Sequence, residues 1–438
     1  MTDLSHAIAR LVESLSTMSP LPSQIAQPFC WPAHTDPMDW LHAQPLFPKF
    51  YWQTRDANEE VLALGQVRTF SDPASAEAVL AKGQRVWGGR SFDGRTERNQ
   101  CCLQSFFFLP QIEVTRSGTA WEIRVNLGDD LLKVRAALSR LSCAAQHIGK
   151  PDCEVLATVH QPVFSDWSTM IDEALESIET TSLQKVVLAR KTILDLDRPL
   201  SAASLLKASR DLNVSNFHFM LALDEKHCFV GSTPERLFWR HNRELYTEAL
   251  AGTIGRGKDA EEDLFLATWL LNDNKNIYEN RLVVDDITQR LAPYSDKVDV
   301  EQTPRLVRLR NVQHLKRDIE GVLEENVSSS TLLDTLQPTA AVAGLPRDMA
   351  VDFIVKHEPF ARGWYSGSVG YLSQEQSEFC VAIRSALVVA DKVHLFAGAG
   401  IVPGSDAESE WKELDRKMAT LRNLLGPSPD NLMEKKAG

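Results

Sequence analysis

The chain has 438 residues, 43% of them hydrophobic and 24% charged, a composition typical of soluble globular proteins. It contains 47 Lys and Arg against 59 Asp and Glu, which gives a formal net charge of −12. This balance argues against a general nucleic-acid-binding protein, which needs a basic surface for phosphates. A small anionic substrate remains compatible, because a local pocket can oppose the sign of the whole molecule.

The cysteines indicate the cellular compartment. There are seven, an odd number, and no C-x-x-C pair occurs, so neither a disulfide framework nor a structural zinc site is favoured. No apolar run is long enough to span a bilayer. Residues 1–18 contain acids and no apolar signal core, which predicts an amphipathic helix and not an export signal. We therefore expect a cytoplasmic protein that does not bind membranes.

The first third of the chain shows no recognisable chemistry of its own. Residues 20–48 are rich in proline and tryptophan and are predicted to be irregular. Strand-like runs follow, and they occupy residues 49–55, 59–70, 105–116 and 120–128. Residues 129–148 are predicted to be helical. We interpret residues 1–150 as a structural N-terminal part that is integrated in the same fold as the rest.

The remaining chain alternates long helices with strands joined by turns. Helical spacing is found in residues 166–183, 201–213, 260–292 and 348–357. Strand-like runs lie between these segments and again at residues 362–402. Hairpin-linked strands with interspersed long helices predict an α+β fold. We expect a catalytic domain over residues 151–425, followed by a flexible tail over residues 426–438.

The helix predicted near the C-terminus carries a row of acids. In the segment SDAESEWKELDRKM, Ser405 and Glu408 form an S-x-x-E capping box, which predicts that the helix starts at Ser405. Four side chains fall within about 60° of one another on this helix, namely Asp406, Glu410, Glu413 and Lys417. They lie at the edge of its apolar stripe. A solvated face with a Glu–Lys pair is the alternative interpretation of this row.

A second acidic helix strengthens the case for a metal site. Glu279 and Asp286 are seven residues apart in NKNIYENRLVVDDITQRL, on nearly the same side of the helix. Two helices that bring acids to the boundary of the core can share a hard dication. Oxygen ligands without histidines favour Mg²⁺ over zinc. The spacing is compatible with such a site but is not specific for it.

Six motifs follow one another along the chain, namely ENRLVVDDI, LQPTAAVAGLPR, YSGSVGYL, SEFCVAIRS, FAGAGIVPGSD and EWKELDRKM. Together and in this order they resemble the chorismate-binding enzymes, a family that includes isochorismate, anthranilate, aminodeoxychorismate and salicylate synthases. The motifs span about residues 160–425 and imply large antiparallel sheets with long helices packed on them. Within the family, QKVVLARK, GSTPERL, TEALAGT and the N-terminal FYWQTRD and WGGRSFD are most similar to the isochorismate synthases of menaquinone synthesis.

The resemblance implies an isomerisation of chorismate, in which water adds at ring carbon C2 while the hydroxyl at C4 departs. Such a reaction needs a base and an acid. In the family pattern the lysine of KVVLAR, here Lys185, is the base, and the glutamate of PERL, here Glu235, is the acid. By residue pattern alone, Lys185 could equally be a strand-end surface lysine, and Glu235 a turn residue paired with Arg236.

The resemblance also assigns the acidic row. It implies that Glu279 and Glu413 hold Mg²⁺, with Glu410 as an additional ligand or a supporting group. The metal would bind the ring carboxylate of chorismate, and Lys417, one turn beyond Glu413, would point at the same carboxylate. Further substrate-binding positions match the family and comprise Gly252, Thr253, His314, Ala341, Tyr365, Arg384, Gly398, Ala399 and Gly400. For His314, a buried structural histidine is an equally good interpretation.

Several relatives and rivals remain open. Lys185 favours water over ammonia as the nucleophile, although aminodeoxychorismate synthases can carry lysine there too. Ala341 stands where salicylate synthases tend to have threonine, which fits a reaction that stops at isochorismate. Siderophore-pathway isochorismate synthases share the chemistry. A non-catalytic metal-binding scaffold and a Mg²⁺-dependent phosphoryl-transfer enzyme are alternatives of other classes, and the latter lacks a P-loop or kinase motif. We expect no obligatory glutaminase partner, and a monomer or homodimer.

Overall fold

The computed structural model describes residues 3–18, 20, 22–95, 103–128 and 130–426. The predicted tail, apart from Gly426, lies outside the described residues. The α-helices are α1 (Leu4–Thr17), α2 (Pro37–Ala43), α3 (Pro73–Glu77), α4 (Leu131–Arg140), α5 (Phe164–Thr180), α6 (Ala202–Leu212), α7 (Ala260–Asn272), α8 (Asn274–Leu291), α9 (Ser329–Leu336), α10 (Arg347–His357) and α11 (Ala407–Arg422).

The strands of the first half are β1 (Gln24–Phe29), β2 (Lys49–Gln53), β3 (Glu59–Leu64), β4 (Arg68–Phe70), β5 (Val86–Arg90), β6 (Ser105–Leu109), β7 (Ile112–Ser117), β8 (Ala120–Asn126), β9 (Val155–Gln161), β10 (Lys185–Leu196) and β11 (Phe217–Ala222). Those of the second half are β12 (His227–Thr233), β13 (Arg236–His241), β14 (Glu244–Gly255), β15 (Ser295–Val300), β16 (Arg305–Arg308), β17 (Val312–Leu323), β18 (Gly344–Leu345), β19 (Ser368–Leu372), β20 (Gln376–Val381), β21 (Ser385–Val389) and β22 (Lys392–Ile401).

Two antiparallel sheets organise the described part of the chain. The larger has 12 strands in the order β1-β8-β7-β3-β2-β11-β12-β21-β22-β10-β18, with β9 also paired to β10. The smaller has 10 strands in the order β15-β17-β14-β13-β20-β19-β5-β6-β4, with β16 also paired to β17. Both sheets contain strands from before and after residue 150, and the two groups of strands meet where β2 pairs with β11 and where β5 pairs with β19. The division into domains at residue 150 stays a prediction.

An aromatic core joins the two sheets. Phe50 of β2 lies 5.3 Å from Trp87 of β5, measured between ring centroids, and Trp87 lies 4.8 Å from Tyr371 of β19. All three side chains are buried. Their burial contributes to the hydrophobic stabilisation that holds the sheets face to face. The predicted α+β class with large antiparallel sheets is confirmed.

Two predictions for the N-terminal part were wrong. Residues 20–48 are not irregular throughout, because Gln24–Phe29 pairs with β8 and Asp36 caps helix α2, which has Pro37 in its first turn. The helix predicted over residues 129–148 is confined to Leu131–Arg140. Proline and a predicted turn composition do not prevent a strand at a sheet edge.

The boundaries of two functional helices also differ from the predictions. The single helix expected over residues 260–292 is two helices, since Asp273 ends α7 and its side chain accepts the N–H of Asn276 to cap α8. Helix α11 begins at Ala407 and not at Ser405, because the Asp406 side chain accepts the N–H of Ser409. Within the described residues, no helix is both long and apolar enough to cross a membrane.

Candidate active site

A cavity opens where β10, β14, β17 and β22 meet helices α8 and α11. Its empty space is about 650 Å³, part of which is open to solvent. Most of the residues that the sequence predicted for the site line it, namely Glu235, Gly252, Thr253, Glu279, His314, Ala341, Tyr365, Arg384, Gly398, Gly400, Glu413 and Lys417. Residues from distant parts of the chain therefore converge on one cavity.

Three predicted residues do not line the cavity. Lys185 is fully buried directly behind it. Glu410 faces Lys275 on α8, with 3.0 Å between Oε1 and Nζ. The side chain of Ala399 packs in the hydrophobic core, because successive residues of strand β22 point to opposite faces. A role for the Ala399 side chain in the cavity is not supported, while the role of its backbone stays a prediction.

Lys185 forms a buried ion pair at the floor of the site. Its Nζ lies 2.9 Å from Oε1 of Glu279, in a direction that is poor for a hydrogen bond. Gly400 of the neighbouring strand β22 makes room for this pair. A Cβ on Gly400 would collide with Oε1 of Glu279 and would lie 3.0 Å from Cε of Lys185. The pairing of β10 with β22 thus brings a strand lysine against a helix carboxylate.

Glu235 is a buried carboxyl group in the turn between β12 and β13. Burial raises its pKa to about 8, and the negative charge of Glu248 acts in the same direction. The positive charges of Lys185, Lys417 and Arg384 act in the opposite direction but do not overcome burial. Glu235 is therefore largely protonated at neutral pH and can donate a proton into the cavity.

A chain of polar contacts crosses the opposite wall. Arg384 Nη2 lies 3.3 Å from Nε2 of His314, and His314 Nδ1 lies 3.0 Å from the hydroxyl of Thr253. Burial, together with the charge of Arg384, holds the pKa of His314 well below 6.5, so the ring is neutral. Nη1 of Arg384 is buried without a hydrogen-bond partner in the described structure. An anion in the cavity would satisfy this guanidinium.

Helix α11 contributes a paired acid and base. Lys417 Nζ lies 2.6 Å from Oε1 of Glu413, one turn away, and donates a hydrogen bond of 2.9 Å to the carbonyl of Gly398. Burial, followed by the charge of Glu413, raises the pKa of Glu410. Against the effect of burial, the negative charges of Glu410, Glu279 and Glu413 all raise the pKa of Lys275, so this ammonium faces carboxylates of both α8 and α11.

These carboxylates fit a hard divalent cation. Mg²⁺ is commonly bound by one or two protein carboxylates together with waters and substrate oxygens. Glu279 and Glu413 face one cavity from two helices, while Glu410 does not line it and pairs with Lys275. Among the described residues, no group of three or more His, Cys, Asp or Glu is placed to hold a metal by itself. Asp286 does not take part, since it pairs with Arg290 and accepts the N–H of Ala340.

Several site residues escaped the sequence reasoning. Lys275 and the apolar lining were not singled out, and that lining includes Val187, Leu250, Val342, Ile383 and Phe396. Strand alternation could have found Val187, which lies two residues after Lys185 on the same face. Phe396 stacks on Tyr365 with ring centroids 5.1 Å apart, a contact between segments that no local pattern indicates.

The fold and the cavity define a member of an enzyme family. The family model described as chorismate binding enzyme matches residues 22–426, and the chain belongs to this family. Isochorismate synthase MenF of Escherichia coli is 41% identical over 97% of this chain and 99% of its own length. The solved structure of the menaquinone-specific isochorismate synthase MenF from Escherichia coli has a TM-score of 0.90 at 40% identity, and covers 97% of this chain and 100% of that chain.

A more distant solved structure shares the fold. Anthranilate synthase component I from Streptococcus pneumoniae has a TM-score of 0.66 at 20% identity, and covers 92% of this chain and 93% of that chain. This likeness extends to architecture alone. The family resemblance seen in the sequence is confirmed.

Proposed function

We propose that this protein is an isochorismate synthase of menaquinone synthesis, an isomerase that converts chorismate to isochorismate. Water forms a bond to ring carbon C2, the ring double bonds shift, and the C4–O bond breaks. The water that is gained and the water that is lost leave the composition of the substrate unchanged. The menaquinone assignment is supported by the identity and coverage of the relatives described above.

The observation that carries the proposal is the protonated Glu235 in a cavity that also borders Lys185. Hydroxide is a poor leaving group, so the C4 oxygen needs a proton as its bond breaks. A carboxyl with a pKa of about 8 holds that proton at neutral pH. Ordinary surface glutamates are ionised and could not donate it. Glu235 is thus the general acid of the proposed reaction.

Lys185 is the proposed general base. Its side chain is fully buried, and among the described residues its ion pair is with Glu279. In its neutral amine form, it takes the proton of the water that attacks C2. Because Glu235 lines the cavity from the turn between β12 and β13 and Lys185 lies directly behind the cavity on β10, a ring bound there can receive a nucleophile at one carbon and lose a hydroxyl at another.

The carboxylates of chorismate require positive partners, although the whole protein is negative. Arg384 offers a buried guanidinium nitrogen that lacks a partner, and a guanidinium binds a carboxylate through parallel hydrogen bonds. The hydroxyl of Tyr365 and the backbone of Gly398 and Gly400 border the same space. Lys417 adds a second positive charge from α11.

Glu279 and Glu413, supported by Glu410, are the proposed ligands of a Mg²⁺ ion. When bound, the ion supplies positive charge that neutralises these acids and attracts the ring carboxylate of the substrate. In the structure, Lys185 pairs with Glu279 and Lys417 pairs with Glu413. These two positive charges offset the repulsion between the carboxylates. No glutaminase partner is needed, because the proposed nucleophile is water.

Product analysis tests this function. The purified chain is incubated with chorismate and Mg²⁺, and the products are separated by chromatography, with parallel reactions that contain ammonium or a chelator. We expect isochorismate as the main product, no amino product with ammonium, little pyruvate, and loss of turnover with the chelator. Salicylate with stoichiometric pyruvate, an amino product, or no consumption of chorismate would each contradict the assignment.

A further inference from the structure

The two peptide groups that flank Glu235 are both held by one buried ion pair. Arg55 Nη1 donates a hydrogen bond of 2.7 Å to the carbonyl of Pro234. The same guanidinium binds both carboxylate oxygens of Glu248, at 2.7 and 2.9 Å. Glu248 Oε1 in turn accepts the backbone N–H of Arg236 at 2.8 Å. The residue before and the residue after Glu235 are therefore fixed by a single Arg–Glu pair.

This pair is built into the core and lies outside the cavity. The Glu248 side chain is fully buried, and that of Arg55 is 19% exposed. Lys316 gives Glu248 a second cation, with 2.6 Å between Nζ and Oε2. Although burial raises the pKa of Glu248, Arg55 and Lys316 keep it below its ordinary value, so this carboxylate stays charged. Neither Arg55 nor Glu248 is among the residues that line the cavity.

The pair also connects the N-terminal part to the catalytic turn. Arg55 follows strand β2, and its guanidinium stacks on Phe217 of the adjacent strand β11, 5.1 Å from the ring centroid. Arg236 approaches the same ring at 5.4 Å. The turn that carries Glu235 is thus attached to the larger sheet through a residue from the first 60 positions of the chain.

We propose that the Arg55–Glu248 pair is a positioning device for the general acid, in which the pair fixes both peptide groups that flank Glu235 and places the negative charge of Glu248 beside it. This inference rests on the proposed function of Glu235. Neither residue touches the substrate, so both act through Glu235 and are positioning residues. The N-terminal part thereby contributes directly to the geometry of the catalytic site.

The charges around Glu235 determine what each substitution does. Lys185, Lys417 and Arg384 face it from β10, α11 and the segment before β21, and Glu248 faces it from β14. Glu248→Gln keeps the shape of the side chain and removes the only negative charge of this set. Arg55→Met removes a positive charge beyond Glu248 and leaves Glu248 paired with Lys316. The electrostatic potential at Glu235 therefore becomes more positive in Glu248→Gln and more negative in Arg55→Met.

The pH dependence of kcat/KM separates the two roles. The proposed acid works when protonated, so activity falls as the pH rises through the pKa of Glu235, about 8 in the wild type. Glu248→Gln should move this alkaline limb to lower pH by about one unit, as expected for loss of a nearby unit charge.

Arg55→Met and Arg55→Lys should lower kcat by about tenfold or more through misplacement of Glu235, with KM for chorismate little changed. In Arg55→Met the limb should stay in place or move to higher pH.

A matched control is the buried pair of Arg85 and Glu113, which lies in the N-terminal part and does not contact residues 234–236. Glu113→Gln also removes one carboxylate from a buried Arg–Glu pair, so it reports the general cost of such a loss. It should lower the unfolding temperature and leave the pH profile of the remaining activity unchanged. If Glu113→Gln moves the limb as far as Glu248→Gln does, or if Arg55→Lys keeps the wild-type kcat, the proposal is overturned.

A measurement that needs no substrate distinguishes failure of this proposal from failure of the proposed function. Infrared difference spectra of the folded protein, recorded as a function of pH, follow the protonated carboxyl of Glu235, which is assigned by its loss in Glu235→Gln. The midpoint should move to lower pH in Glu248→Gln even if the wild type does not turn over chorismate. An unchanged midpoint overturns the tuning role, whatever the substrate proves to be.

Discussion

At the scale of single residues, the site depends on charges that are removed from water. Lys185 has no exposed surface, and its Nζ lies against Glu279. Glu235 is as deeply buried but keeps its proton. Two groups with opposite tasks thus sit near one cavity in different environments, a pattern typical of acid–base catalysis.

Substitution of Lys185 tests the base directly. Lys185→Ala should lower kcat by about 10²-fold or more, because the attacking water loses its proton acceptor. Binding of chorismate in the presence of Mg²⁺, measured by calorimetry, should be largely retained. Lys49→Ala is the control, since Lys49 is another buried strand lysine, and it borders a separate cavity. Near-normal turnover of Lys185→Ala would remove Lys185 from this role.

Gly400 offers a test that leaves every charged group in place. A methyl group at this position collides with the Glu279 carboxylate and crowds Lys185. Gly400→Ala should therefore displace the pair and lower kcat by about tenfold or more. Gly149→Ala is the matched control, because a Cβ on Gly149 meets no atom within 4 Å. Full activity of Gly400→Ala would show that the observed Lys185–Glu279 geometry is not needed for turnover.

At the scale of elements, the starts of helices α11 and α8 determine where their acidic side chains lie relative to the cavity. Helix α11 begins one turn before Glu410, capped by Asp406. Helix α8 begins after Asp273, which breaks what would otherwise be a continuous helix with α7. Asn276 in the first turn of α8 accepts the N–H of Thr253 at 3.0 Å, so this helix start also supports the wall of the cavity.

The metal hypothesis belongs to helix α11. Glu413→Ala should raise the Mg²⁺ concentration required for half-maximal activity by about tenfold or more, and excess Mg²⁺ should restore part of the activity. Glu408→Ala is the control on the same helix, because Glu408 is exposed and pairs with Lys412. Titration of activity with Mg²⁺ compares the variants. An unchanged Mg²⁺ requirement in Glu413→Ala would argue against this residue as a ligand.

The cap of helix α8 links stability to activity. Asp273→Ala should lower the free energy of unfolding by about 1 kcal/mol, since the N–H of Asn276 loses its acceptor. It should also lower kcat/KM several-fold, because Asn276 supports Thr253. Asp259→Ala removes the corresponding cap of α7 and should cost similar stability without a loss of activity. Denaturant titration and steady-state kinetics measure both effects, and equal kinetics in the two variants would contradict this link.

At the scale of the whole molecule, both sheets are assembled from strands distant in sequence. Strand β2 lies between β3 and β11, and β5 lies between β6 and β19. Removal of the N-terminal part would expose the backbone edges of β11 and β19 and one face of the aromatic core. Exposed edges of this kind associate with other chains.

A fragment of residues 151–425 should therefore aggregate or fail to fold cooperatively, although it contains every proposed catalytic and metal-binding residue. Solubility, circular dichroism and thermal unfolding, compared with the full chain, measure the outcome. A soluble fragment with a cooperative unfolding transition would show that this segment is an independent domain.

Local patterns predicted the elements well where the apolar period was clear. Helices α6 and α10 lie close to where the helical spacing indicated. Element boundaries were less predictable, because Asp273 and Asp406 were available as caps but were not distinguished from neighbouring polar residues. The edge strand β1 was missed, since its pairing with β8 depends on a partner almost 100 residues away.

The sequence by itself determined the fold class, the family and the set of chemical groups, because these follow from residue types, local periodicity and ordered motifs. It could not decide which of those groups are charged. Three features arise only when distant segments pack together and exclude water. They are the raised pKa of Glu235, the pairing of Lys185 with Glu279, and the hydrogen bond from Arg55 to the carbonyl of Pro234. Desolvation and charge proximity are properties of three-dimensional packing, so they were decided by the tertiary structure.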